Sequence, residues 1–192
     1  NQVFLHIINW GQINLNSKKV IKNYYDLNSP ITDLTLSEKI KMVKAAHDTA
    51  LKHDSKIKKV SASLSDEMQY VTIANSDGLL ISDIRPQTRL VVYATAAKDT
   101  KNYVTGSANA GGRLGFNFYK NKVKPEELGV KAAKEAIILL DAENAPAGEM
   151  TVVLDKKQSG VMIHEAVGHP FEADSIWKKT STIYDKLGQV IA

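Results

Sequence analysis

A chain of 192 residues with 25 Lys and Arg against 21 Asp and Glu carries a formal charge of only +4. That field is too weak to imply nucleic-acid binding. The absence of cysteine excludes a disulfide framework and any thiolate metal site built from these residues alone. With 43% hydrophobic and 24% charged residues the composition is that of a globular chain able to bury a core, and no apolar run approaches the roughly 18 residues a membrane helix needs.

In chain order, residues 1–33 read as an irregular, β-type N-terminal segment, with runs at Val3–Ile8 and Lys19–Tyr25 and a turn at Asn28-Ser29-Pro30. The start has no initiator Met and no basic region, its apolar run is short for a signal peptide, and both ends break into apolar patterns. The expectation is a piece of a longer polypeptide. A helix follows, with Ser37 as the expected N-cap, Glu38 favourable at the positive helix N-terminus, and Ile40, Val43, Ala46, Ala50 and Leu51 at helical spacing. The basic tract Lys52, Lys56, Lys58 and Lys59 reads as a solvated helix end rather than a nucleic-acid patch.

From Ile57 to Thr105 the pattern alternates, and strands are expected at Lys59–Leu64, Gln69–Asn75, Leu79–Ile84 and Leu90–Ala97. Asn75-Ser76-Asp77-Gly78 is a hairpin turn, since Asp and Gly tolerate the positive φ such turns need. Runs so closely spaced favour an antiparallel meander over parallel units. A glycine-rich segment, Gly106–Gly115, comes next. Pro125-Glu126-Glu127 opens a second helix running to about Leu140, Asn144–Gly148 is a turn, Met150–Leu154 a short apolar strand, and a further helix carries Val161-Met162-Ile163-His164. The expected class is α+β, an antiparallel β-meander with flanking helices and a metal-motif helix near the C-terminus. Residues 34–192 are expected to form that α+β domain and to continue beyond the chain end in the full-length protein.

Chemistry concentrates in His164-Glu165-Ala166-Val167-Gly168-His169. Imidazole nitrogens suit Zn²⁺, and an adjacent carboxylate can take a proton from water whose pKa the ion lowers towards 7. The common zinc-hydrolase form spaces its histidines four apart on one helix face, whereas here the spacing is five. On a regular α-helix five residues turn through about 140°, so the two rings would not converge on one ion. The chain must loosen between them, and Gly168 and Pro170 suit a π-type bulge or an early helix end. Chance would produce this pattern on the order of once in a hundred chains of this length, which favours ligands over unrelated histidines. His6, His47 and His53 are isolated and read as structural or solvated.

The segment Gly160–His169, continuing through Phe171-Glu172-Ala173-Asp174, resembles the TldD branch of the TldD/PmbA family of zinc metallopeptidases, also described as modulators of DNA gyrase. Gly111-Gly112-Arg113-Leu114-Gly115-Phe116 is similar to that family's glycine-rich segment, and the resemblance runs from about Ile31 onward. It implies His164 and His169 as Zn²⁺ ligands, Glu165 as general base, and small or unfolded peptides as substrates. It also implies a third ligand, a cysteine in the C-terminal half, for which Glu172 and Asp174 are the local substitutes. A soluble, cytoplasmic protein follows, with no membrane association and no direct nucleic-acid binding, working as a homodimer or paired with a PmbA-type subunit that lacks the motif.

The glycine-rich segment itself has two readings. It is a bent or bulged strand in which glycine permits close backbone approach, or an edge along which an extended peptide lies, with Gly111, Gly112 and Arg113 binding substrate and Arg113 holding a carboxylate. The competing function is a non-catalytic partner or regulatory subunit with a structural or vestigial metal site. Glu165 speaks for catalysis, because a structural site needs ligands but no adjacent base.

Overall fold

The computed structural model describes residues 14–17, 24–25, 33–155 and 158–191. The run at Val3–Ile8, most of Lys19–Tyr25 and the turn at 28–30 lie outside them. The chain divides into two compact units, the first ending at Glu143 and the second beginning at Asn144, within the turn read at Asn144–Gly148.

In the first unit the elements run β1 (Asn16–Ser17), α1 (Leu36–Leu51), β2 (Ile57–Ala74), β3 (Leu79–Ala97), β4 (Tyr103–Gly112), α2 (Asn117–Asn121) and α3 (Pro125–Leu140). β3 is central. It pairs antiparallel with β2 along almost its whole length, antiparallel with β4 from Thr88 to Ala97 on its other side, and in parallel with β1 at Leu79 and Leu80. The α+β class and antiparallel meander are therefore observed. Four expected strands merge into two. The polar stretch Ser65–Met68 keeps register with Arg89–Pro86, so it continues β2 instead of breaking it. Pro86 is tolerated inside β3 because the ladder to β4 stops at Thr88, beyond which no β4 carbonyl waits for the N–H that proline lacks.

The core follows from a period of two along β3. Pro86, Thr88, Leu90, Val92, Ala94 and Ala96 are buried on one face, and α1 and α3 pack with them through Ala46, Ala50, Leu128, Ala132, Ala133 and Ala136. Small side chains let the backbones approach closely. A Cβ on Gly106 would lie 2.4 Å from both the Ala132 carbonyl oxygen and the Ala136 nitrogen, and one on Gly129 would lie 2.3 Å from the Ala46 carbonyl oxygen.

The N-cap of α1 is Thr35, not Ser37. Thr35 is extended (φ −65°, ψ 156°), its Oγ1 accepts from Glu38 N, and the Glu38 carboxylate accepts from Thr35 N at 2.8 Å. Thr35-Leu36-Ser37-Glu38 is thus a capping box, with Ser37 already in the first turn. The hairpin turn forms where expected: Gly78 has φ +84°, and Asn75 Oδ1 accepts from the backbone N–H of Asp77 and Leu79. α3 starts at Pro125 and ends at Leu140 as read from sequence.

The second unit contains α4 (Gln158–Ile163), a π-helical segment (His164–Gly168), a 3₁₀ turn (His169–Phe171) and α5 (Ala173–Trp177). Met150–Leu154, expected as a strand, has no regular secondary structure and no strand partner among the described residues, and Val153 is 94% exposed. An apolar run forms a strand only where a neighbour offers a ladder. Among the described residues no helix is long and apolar enough to cross a membrane.

Candidate metal centre

The motif lies where α4 changes its winding. The His169 N–H donates to the His164 carbonyl five residues back, the bond that defines a π turn. That single bond resolves the five-residue spacing. It stacks the two histidines on one side of the segment, with ring centroids 4.5 Å apart and planes at 67°. Gly168 leaves the space this needs, since a Cβ there would stand 3.3 Å from His164 Nδ1. Pro170 then ends the π winding, and Ser181 fastens the turn by donating from Oγ to the Pro170 carbonyl at 2.7 Å.

His164, Glu165 and His169 each offer one donor atom, and the three lie within 4.8 Å of one another. They form the only such cluster of three found among the described residues. Glu165 Oε2 lies 3.4 Å from His169 Nε2, close enough for the carboxylate to reach water bound to an ion that the two rings held. Two imidazoles suit zinc in kind. All three side chains are exposed, Glu165 to 63%, so water and substrate can reach them.

Glu172 and Asp174, the substitutes considered for a third ligand, stand outside the cluster. Asp174 pairs with Lys178 at 3.0 Å. Glu172 Oε1 lies 2.8 Å from His169 Nδ1, the ring nitrogen opposite the one facing Glu165. The bond to Glu172, reinforced by its charge and that of Glu165, raises the pKa of His169. This contact was missed at the sequence level, although an acidic residue three after a candidate ligand was a legible signal.

Gly111, Gly112 and Arg113 lie at the end of β4 in the first unit. A Cβ on Gly111 would stand 2.1 Å from the Thr88 carbonyl oxygen, so close backbone approach accounts for that glycine. Arg113 is exposed, with Nη1 3.4 Å from Gln69 Oε1. The outer edge of β4 is partly taken, because the Ser107 N–H donates to the Glu135 carboxylate of α3.

Comparison with known proteins bears on both units. Residues 29–140 match the profile of the PmbA/TldA metallopeptidase central domain, and residues 147–192 match that of the C-terminal domain of the same family. A metalloprotease TldD homolog of Haemophilus influenzae is 38% identical over 175 residues, covering 89% of this chain and 36% of the relative. A metalloprotease of Methanocaldococcus jannaschii is 35% identical, covering 90% and 37%. The crystal structure of a Thermotoga maritima protein described as a modulator of DNA gyrase shares the fold, with a TM-score of 0.71 at 24% identity over 93% of this chain and 39% of that one. The chain thus spans a little over a third of the length of these relatives.

Proposed function

Because the chain belongs to the PmbA/TldA family of metallopeptidases, we propose that it carries the catalytic motif of a zinc-dependent peptidase acting on small or unfolded peptides. The observation that carries this reading is the π-helical juxtaposition of His164, Glu165 and His169. His164 and His169 would hold the ion through one ring nitrogen each. Zinc, when bound, supplies Lewis acidity that polarises a scissile carbonyl and acidifies water.

The remaining steps fall to this chain's residues. Glu165 takes a proton from the attacking water and returns it to the departing amine, a role its exposed carboxylate and its place beside both histidines support. A catalytic zinc normally has three protein ligands and water, and this chain offers two imidazoles. The third we assign to a cysteine from the C-terminal part of the complete protein, as the family resemblance implies. By the same resemblance we assign the protein to the cytoplasm, as a homodimer or paired with a PmbA-type subunit.

The test is Glu165→Gln in the protein expressed from its complete reading frame. Peptide hydrolysis should fall by about 10²–10⁴-fold while zinc content by atomic absorption stays at the wild-type level. Loss of zinc together with activity would make Glu165 a ligand rather than the base. Unimpaired hydrolysis would remove it from the chemistry and favour the non-catalytic reading.

A further inference from the structure

Glu172 occupies the N-cap position of α5, where a side chain can accept from the first backbone N–H groups of its helix, although the shorter Ser, Thr, Asp and Asn are the usual caps. It makes no such bond. Its backbone is extended (φ −63°, ψ 130°), its N–H returns to the His169 carbonyl at 3.1 Å, and its carboxylate turns back to His169 Nδ1 at 2.8 Å. The 3₁₀ turn that permits this return is fixed by Pro170 and by the Ser181 bond to the Pro170 carbonyl.

We propose that Glu172 is a positioning residue of the metal centre. It accepts the Nδ1–H of His169, holds that ring in one tautomer and orientation, and thereby presents the Nε2 lone pair towards Glu165 and His164. The inference rests on the reading of His164 and His169 as ligands. An imidazole free to rotate and to exchange tautomers must be ordered when a metal arrives, and a carboxylate on its far nitrogen does that ordering in advance and makes the ligand more basic. The Glu172–His169 pair is an exposed one between residues three apart, and it leaves Nε2 as the ring nitrogen on the Glu165 side.

The experiment compares wild type, Glu172→Gln, Glu172→Ala and His169→Ala in the protein expressed from its complete reading frame. Zinc affinity is read by chelator competition, the ligand field by the visible spectrum of the Co²⁺-substituted protein, and the His169 tautomer by ¹⁵N shifts. Glu172→Ala should lower zinc affinity about 10–100-fold, shift the Co²⁺ bands and let the His169 tautomer mix. Glu172→Gln, whose amide oxygen accepts the same N–H, should recover most of the affinity and keep the tautomer. The Gln variant and the tautomer measurement carry the test should the Ala variant fail to fold. Zinc affinity and tautomer unchanged in Glu172→Ala would overturn the proposal while leaving the peptidase reading intact. Loss of zinc from both Glu172 variants as complete as from His169→Ala would overturn it by making Glu172 a ligand. A wild-type protein that binds no zinc would overturn the peptidase reading itself, and this proposal with it.

Discussion

From Leu36 to Leu140 alanines make up much of the buried core, and Gly106, Gly111 and Gly129 sit where one backbone meets another. From Ser159 to Ile191 every residue except Ser181 is at least partly exposed, and the candidate metal-binding residues are among the open ones. Gly106 and Gly129 are glycine because helix and strand backbones come within what would be 2.4 Å of a Cβ. Gly168 is glycine beside the His164 ring, and His164, Glu165 and His169 are all exposed. Residue type is thus fixed by steric contact in one unit and by reactive geometry in the other. A motif of small residues and a motif of ligands look equally distinctive in a sequence, but they fail in different ways when changed.

Substitutions can break that contrast, and the largest effect on stability is expected at Gly106. Gly106→Val would drive a side chain into the Ala132 carbonyl and the Ala136 nitrogen, backbone atoms that cannot rotate away. The helix must lift from the sheet over Ala94 and Ala108, and a loss of about 3 kcal/mol is expected in urea unfolding. An unchanged midpoint would refute steric control of the first unit. Gly78→Val tests a single turn of the same unit. Gly78 has φ +84°, and a Cβ there would stand 2.7 Å from the Asn14 carbonyl oxygen, so a cost of about 1–2 kcal/mol is expected in the same assay.

The smallest effect concerns charge. Lys98 and Lys56 both bond the Asp141 carboxylate just past the end of α3 and hold its pKa below the ordinary value. A carboxylate whose pKa is depressed on folding stabilises the protein above its unfolded pKa and loses that contribution as pH falls through the folded one. Asp141→Asn should therefore lower the unfolding midpoint slightly at neutral pH and flatten its decline below about pH 4 by the same small amount, both effects shrinking as salt screens the exposed pairs. An acid limb identical to wild type would show the pairs to be silent. His169 differs in direction: the bond to Glu172, with the charges of Glu172 and Glu165, raises its pKa.

Much of the first unit was legible because its signals are local. Pro125 opens α3 and Leu140 closes it, and Gly78 makes the turn its φ requires. The cap at Thr35 was equally local, and the Thr-x-x-Glu spacing states it. The lengths of β2 and β3 were not legible. Ser65–Met68 and Pro86–Arg89 look like interruptions until each is paired with the other. Met150–Leu154 shows the converse, an apolar run with strand propensity and no ladder to join among the described residues.

At the candidate site, the sequence by itself determined the donor set and the demand that the helix change its winding, because five residues cannot bring two side chains together on an α-helix. The π turn that answers this demand is one backbone bond, from His169 to His164, and lies within the reach of local physics. What only the tertiary structure decided is which neighbours a residue meets. The close approach that requires Gly106 and Gly111 and the ladder end that tolerates Pro86 depend on where the chain doubles back. Periodicity and propensity describe a residue's own segment, whereas steric exclusion and hydrogen bonding across a fold act between segments, and folding brings those together.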